Sequence, residues 1–385
     1  MYVTRRLSHY QRSPESLSLP PEGPNSGYLV IQDEESETST TTCFGTYKNQ
    51  HLMDLPFPQN KNLTTVFGGG GNGQQLAASY FDDATFIPVL NQPLSSNRYY
   101  TIKRQGRHKG EACSCSRKED MITCCFCKCI KDVDPRPLDP NDIYQQFEIF
   151  PITRGTFSAR SVATDGFPPR FLRRCLGWSV FTESPRTYKL DEAMGINATL
   201  RARLPNFNSP VVVGKWYCPF MFVKDGNVKD PMEQSLFYEM TLEKRWEKIF
   251  ACENNFNSQG NSISIEVQVQ KEVVFVGGRD AVWDANREGD GVVWFRDFGG
   301  VEANIGLSSL IVDRMKWEAE RGGWVREEKS QVKLNRTEEF GGIGRAWSKF
   351  GCYLLVERFV LKRMDRSVVL TYDFKHTHVI RSKWE

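Results

Sequence analysis

Ile263, Ile265, Val267, Val269, Val273 and Phe275 alternate with polar residues, and this period of two restricts the fold more than any other feature. Successive side chains point to opposite faces of a strand, so the run predicts one long strand with a single buried face. Shorter runs at 28–32, 86–90, 98–104, 211–223 and 235–240 read as further strands, as does 292–296 after the turn signal Asp290-Gly291. The chain closes with a predicted hairpin, 352–362 and 368–379, turning through Asp365-Arg366-Ser367. Strands joined by short turns predict a mostly antiparallel sheet.

Two helices are expected beside it. With Thr241 as cap, Leu242, Trp246, Ile249 and Phe250 fall at i, i+4, i+7 and i+8, so a helix is placed after a strand ending near Met240. Leu307, Leu310, Ile311 and Met315 mark the second, which Gly322-Gly323 can terminate. Asp139-Pro140-Asn141-Asp142 reads as the cap of a short helix over 143–150, and 188–204 is the best helical stretch of an irregular region. The fold class is therefore α+β, predominantly antiparallel β. An extended arm (1–27), punctuated by Ser13-Pro14, Pro20-Pro21 and Gly23-Pro24, leads into a β-rich domain with a cysteine hairpin (28–150). A connector (151–209) and an antiparallel α+β domain (210–385) packed by two helices follow.

Composition narrows the function classes. At 385 residues, with 39% hydrophobic and 25% charged side chains, the chain is globular and two or three domains long. Fifty Lys and Arg against 47 Asp and Glu leave a formal charge of +3, too small for a protein that lives on phosphate backbones, so nucleic acid is not an expected partner. The opening residues lack an apolar signal core, Tyr2 stands where myristoylation needs Gly, and no apolar run approaches the roughly 18 residues of a membrane span. Eleven cysteines, an odd number without a signal, read as reduced thiols. Cytoplasmic residence is expected, with the nucleus or a membrane-peripheral place left open, and the sequons at Asn62, Asn197 and Asn335 are then silent.

No catalytic residues are assigned. The five histidines (9, 51, 108, 376 and 378) form no His-Glu-x-x-His, and no Gly-x-Ser-x-Gly elbow occurs. Gly68 to Gly73 invites a phosphate-loop reading, but Gln74-Gln75 follow where Lys and Ser/Thr are required, which makes it a connector. His376 and His378 share a face of the last strand and can hold a metal with a third ligand, or make ordinary cross-strand contacts. The run 98–109 interleaves Arg and Lys with Tyr99 and Tyr100, as a nucleic-acid or anionic-lipid surface would. A solvated edge strand guarded by its charges is the favoured reading.

The cysteines are the least ordinary feature. Six fall in one stretch, Cys113-Ser-Cys115 and Cys124-Cys125-Phe-Cys127-Lys-Cys129, with a turn-like 117–120 between that predicts a hairpin. A five-residue loop sets Cys113 opposite Cys125, a four-residue loop opposite Cys124. A zinc site would draw on Cys113, Cys115, Cys124 and Cys127, of which only Cys124 and Cys127 have the C-x-x-C spacing. S-acylation would use Cys124, Cys125, Cys127 and Cys129, beside Lys128 and Lys131. The third reading is small apolar packing residues. The cluster is expected to stay reduced and to fold without metal, and no cofactor is expected.

Several literal phrases go further. They are Met1-Tyr-Val-Thr-Arg5, Leu19-Pro-Pro-Glu-Gly-Pro-Asn-Ser-Gly27, Asp54-Leu-Pro-Phe-Pro-Gln-Asn-Lys-Asn62 and Pro135-Arg-Pro-Leu-Asp-Pro140, with 28–35, 86–100, 124–129 and 211–220. Together they resemble a plant-specific family of uncharacterised proteins, domain of unknown function 1262. The resemblance implies a plant source and carries no activity, ligand or site residue. A non-enzymatic cytoplasmic interaction or scaffold protein, with protein partners unknown, is the expected function. The alternatives are a peripheral membrane protein anchored by S-acylated cysteines and an enzyme of unknown class.

Overall fold

The computed structural model describes residues 1–38, 41–42, 47–48, 50–67, 80–124, 127–226, 232, 235–254, 261–284, 291–297, 304–326, 330–342 and 347–385. The chain forms two compact units. The first comprises Met1–Ala193, Tyr217–Lys224 and Val228–Phe237; the second comprises Met194–Trp216, Asp225–Asn227 and Tyr238–Glu385.

The first unit opens with strand β1 (Tyr2–Arg6), helix α1 (Leu7–Arg12), a 3-10 turn (Pro14–Ser18) and β2 (Gly27–Ile31), which lies parallel to β1 in register Tyr2 to Gly27. Residues 1–27 are thus not an extended arm. The helix ends ahead of Ser13-Pro14, and Pro14 occupies the first position of the 3-10 turn, where no N–H is needed. A helical turn α2 (Glu34–Thr38) and a small ladder of β3 (Thr41–Thr42) with β4 (Tyr47–Lys48) follow.

The body of this unit is a six-stranded sheet built from β5 (Asn62–Phe67), β6 (Tyr80–Pro88), β7 (Arg98–Lys103), β10 (Gln146–Thr153), β11 (Thr156–Ser161) and β12 (Ser179–Glu183). Their order is β11-β10-β7-β6-β5-β12. The two end strands also meet. Phe157 of β11 and Trp178, just before β12, exchange both backbone hydrogen bonds at 2.8 and 2.9 Å. The sheet therefore closes at this point into a six-stranded barrel, and residues 50–52 cover the free edge of β12, with Leu52 N donating to Val180 O at 2.9 Å and Thr182 N to Gln50 O at 2.8 Å. Apart from it stands the hairpin of β8 (Met121–Cys124) and β9 (Cys127–Ile130).

Rings fill the barrel. Phe57, from the segment before β5, lies 5.1 Å from Phe86, 5.1 Å from Phe157 and 5.6 Å from Tyr99, while Trp178 stacks on Phe86 at 5.8 Å. Two residues on, the buried Gln59 side chain fixes that plug. Its Nε2 donates to the carbonyls of Phe57 (2.8 Å) and Phe86 (3.0 Å), and its Oε1 accepts from Val30 N (2.7 Å). Next to it, the Asn60 amide exchanges two bonds with the Gln32 backbone, 2.9 and 3.0 Å. These two amides serve β2 as a surrogate neighbouring strand.

Two expectations fail here. The Asp142 cap exists, accepting from Tyr144 N at 3.0 Å, but it starts a single 3-10 turn (Ile143–Gln145) rather than a helix over 143–150. Phe147 and Ile149 then point into the barrel with a period of two, and Pro151 is tolerated beyond the reach of β7, beside a bulge. Nor is β7 an edge strand. It lies between β6 and β10, with Tyr99 and Tyr100 buried.

In the second unit, α3 (Ala198–Ala202), a single turn capped by Asn197, and the short β13 (Gly195–Ile196) stand where a helix over 188–204 was expected. The main sheet, most of whose residues belong to this unit, is built from β14 (Val211–Pro219), β15 (Val223–Asp225), β16 (Phe237–Glu253), β18 (Glu272–Val276), β19 (Arg279–Trp283), β20 (Val292–Asp297), β21 (Asn304–Ser308), β23 (Lys349–Lys362) and β24 (Val368–Trp384). Their order is β15-β21-β20-β19-β18-β24-β23-β16-β14, with β13 also paired to β14. A separate ribbon pairs β17 (Ser262–Gln270) with β22 (Gln331–Glu339).

The chain is mostly β, in antiparallel and mixed sheets, and one of the two helices expected beside the C-terminal sheet is present. Helix α4 (Ser309–Arg321) buries Ile311, Met315 and Ala319 and ends at Gly322. The helix placed after Thr241 is instead the middle of the 17-residue β16, where every second residue, Tyr238, Met240, Leu242, Lys244 and Trp246, is buried. Lys244 concealed that period by interrupting the apolar series. Its ammonium reaches the Arg201 and Arg203 carbonyls at the end of α3, so its stem lies in the core like an apolar side chain. The single long strand expected over 263–275 is divided for a related reason. Buried Lys271 separates β17 from β18, donating from Nζ to Val325 O at 2.9 Å, and the two halves join different sheets.

Charge is buried here as well. Arg201 forks onto Glu357, Nε to Oε1 at 2.8 Å and Nη2 to Oε2 at 2.6 Å, and reaches Glu318 Oε2 at 3.3 Å. Burial pushes the Glu357 carboxyl up, but the nearby His376 imidazole and the hydrogen-bonded Arg201 guanidinium outweigh it, and the net shift is downward.

Gln59→Leu keeps the volume but strands the Val30 N–H and the Phe57 and Phe86 carbonyls. At about 1–3 kcal/mol for each unsatisfied buried group, we expect a loss of about 3 kcal/mol or more, read from urea unfolding. A midpoint within error of wild type would show that the amide does not hold the plug. Trp246 is buried in β16 and donates from Nε1 to Pro205 O at 2.9 Å, so Trp246→Ala should cost about 3–5 kcal/mol in the same measurement. An unchanged midpoint would place this side chain outside the core.

Candidate functional site

The structure separates the cysteines that the sequence groups together. Cys113 and Cys115 are buried in the barrel-unit core with Phe171 and Leu172. Their backbones are committed elsewhere, Cys113 N to Thr101 O and Cys115 N to Tyr144 O, both at 2.8 Å. Burial pushes the Cys113 thiol up to about 12, with Lys103 opposing, and the Cys115 thiol up to about 11, with Ser161 opposing. The hairpin turns between Cys124 and Cys127, which pair across β8 and β9, and not through 117–120. That stretch forms a 3-10 turn (Lys118–Asp120), closed by Arg117 N donating to Asp120 Oδ2 at 2.7 Å. Cys113 therefore faces neither Cys124 nor Cys125.

Cys125, the side chains of Cys124 and Cys127, and the glycine run 68–73 lie outside the described residues. Cys129 is exposed. Among the described residues, no three His, Cys, Asp or Glu side chains gather as a metal would require. The two histidines of β24 differ in setting: His376 is buried, with Nε2 3.5 Å from Glu357 Oε2, while His378 is exposed.

The basic run 98–109 supplies what its aromatic half does not. Tyr99 and Tyr100 are inside, so no stacking surface exists, but the chain after them forms a closed loop. Lys103 N donates to Glu111 O (3.0 Å) and Gly110 N to Lys103 O (2.8 Å), while Arg104 N continues the ladder to Asp83 O at 3.1 Å. Arg104 and Lys109 stand at the two ends of this loop and line a cavity of about 280 Å³, with Asn62, Thr187, Tyr188, Met232 and Leu236.

Each wall is fixed. Asn62 opens β5, opposite Glu183 of β12. The Tyr188 hydroxyl donates to Gln59 O at 3.1 Å, and its ring rests 5.4 Å from Phe237. Burial raises the Tyr188 phenol far above its ordinary value, with Arg104 opposing, so it stays un-ionised at neutral pH. Leu236 is held by Phe220 N, which donates to its carbonyl at 3.0 Å. Among the described residues, the half-buried Arg104 guanidinium makes no ion pair or hydrogen bond, and no acidic side chain lines the cavity. Sequence reading singled out Arg104 and Lys109 only as part of a charged run. It missed Tyr188 and Leu236, which come from distant segments.

Fold and site define a mostly β protein with an electropositive cavity in its barrel unit. Residues 22–126 match the family model described as Protein of unknown function (DUF1262), a span that includes Gln59, Asn62, Arg104 and Lys109. No curated protein matches the chain. The crystal structure of Cry35Ab1 aligns with a TM-score of 0.48 at 9% identity, covering 85% of this chain and 90% of that one. Among the described residues, no helix is long and apolar enough to cross a membrane.

Thiol chemistry should divide along burial. At pH 8 a thiol with a pKa near 12 is ionised about once in 10⁴ molecules, against roughly a quarter for an ordinary thiol. Peptide mapping after brief iodoacetamide treatment of the native protein should find Cys129 and Cys175, both exposed, modified well before Cys113 and Cys115. Labelling of Cys113 at a rate comparable to that of Cys129 would contradict the buried setting.

Proposed function

We propose that the chain is a non-enzymatic binding protein of the plant cytoplasm, whose barrel unit captures a small anionic ligand and which serves protein partners as an interaction module. The Arg104 guanidinium carries this reading. It stands half-buried at a cavity with no internal counter-ion among the described residues, and a cation in a partly desolvated setting gains most from an anion brought to it. The side chains around it, Asn62, Thr187 and un-ionised Tyr188, suit holding a ligand; none of them is an activated nucleophile or a paired acid and base. A second reading, membrane attachment by S-acylation, draws on the exposure of Cys129 beside Lys131.

The first reading is tested by thermal unfolding of wild type and Arg104→Gln against a panel of inorganic and organic anions. A ligand that binds only the native state stabilises by about 2.7 kcal/mol at a hundredfold excess over its dissociation constant. Wild type should therefore be stabilised by at least one anion that leaves Arg104→Gln unmoved and that is recovered chemically unchanged. No such anion, or a ligand returned as a new product, would defeat the proposal.

A further inference from the structure

The cavity offers two unlike kinds of lining. Arg104 and Lys109 supply cationic groups and Asn62 and Thr187 polar ones, whereas Tyr188, Leu236 and Met232 supply aromatic and apolar lining. The aromatic part is rigid, because Tyr188 is tied through its hydroxyl to Gln59 and backed by Phe237, which in turn lies 6.5 Å from Tyr217. At about 280 Å³ the space sits at the small end of ligand sites, so it admits a compact molecule and no polymer.

Neither kind alone matches a simple ligand. A bare inorganic anion would satisfy Arg104 and leave the Tyr188 and Leu236 wall against water. An uncharged apolar molecule would cover that wall and desolvate Arg104 without a partner, which is unfavourable. We infer that the cavity binds a small amphiphilic anion, with an oxyanion head on Arg104 and Lys109 and a compact apolar or aromatic body on Tyr188 and Leu236. This inference rests on the anion-binding reading and adds the requirement for the body. Phosphate and carboxylate heads share the needed chemistry, because either accepts two parallel hydrogen bonds from a guanidinium. A planar body also places a flat face against the Tyr188 ring, the contact that gives aromatic pairs their extra attraction.

The experiment uses the full chain and four probes in calorimetric titration: phenyl phosphate, benzoate, inorganic phosphate and benzyl alcohol. Phenyl phosphate, benzoate or both should bind at least tenfold more tightly than inorganic phosphate and than benzyl alcohol, and the stronger of the two identifies the preferred head. Arg104→Gln should weaken the aromatic anions at least tenfold and leave benzyl alcohol unaffected. Tyr188→Ala should weaken the aromatic anions and leave inorganic phosphate unaffected. Should that variant fail to fold, Leu236→Ala provides the same comparison. Inorganic phosphate binding as tightly as phenyl phosphate, in an Arg104-dependent way, would overturn the amphiphilic ligand and spare the anion-binding reading. Aromatic anions that bind Arg104→Gln as well as wild type, or no binding by any probe, would overturn both.

Discussion

The buried amide of Gln59 joins parts of the first unit that are far apart in sequence. Its side chain bonds Val30 of β2, the Phe57 backbone and Phe86 of β6, and its own carbonyl receives the Tyr188 hydroxyl. The barrel interior therefore depends on a polar group with no freedom to move: Phe57 is a plug only because the carbonyl beside it is anchored. A buried polar network of this kind stabilises only when every member is satisfied, and it specifies one arrangement of the rings around it. The backbone carbonyl of the same residue positions the aromatic wall of the cavity. Core and candidate site are consequently one piece of architecture, and the site is preorganised by the packing behind it.

The second unit solves the same problem with ions. Arg201 brings two carboxylates, Glu318 from α4 and Glu357 from β23, to one guanidinium, while the Lys244 ammonium closes the carbonyl end of α3. Burying these charges is costly, and the forked geometry with its added hydrogen bonds is what offsets that cost. Losing one partner would leave the others uncompensated. The cluster therefore ties the short helical turn, α4 and the central strands into a single arrangement, which apolar packing alone would not specify.

Chemistry in this protein follows burial more than sequence neighbourhood. Cys113 and Cys115 look like half of a thiol site in the sequence and behave as core packing in the fold, their ionisation suppressed by the surroundings. Tyr99 and Tyr100 lie inside while Arg104 and Lys109, a few residues on, face the cavity. A run that reads as one basic-aromatic surface is divided by the burial of β7 on both faces and the closed loop after it.

Local pattern by itself determined the strands whose faces differ in polarity and whose ends carry turn residues. β23, β24, β7 and the helix α4 with its terminating glycines were all legible, because period and punctuation are properties of adjacent residues. The alternation through β16 was present as well, but Lys244 hid it, since its buried state depends on carbonyls from α3 that only the fold supplies. Lys271 split a continuous alternating run for the same reason. Barrel closure at Phe157 and Trp178, the anchoring of Phe57 by Gln59, and the meeting of Arg104 with Tyr188 and Leu236 are contacts across long stretches of chain. Tertiary structure alone decided them, because the partner of a buried polar group is chosen by the residue brought beside it in space, and neither period nor composition records that choice.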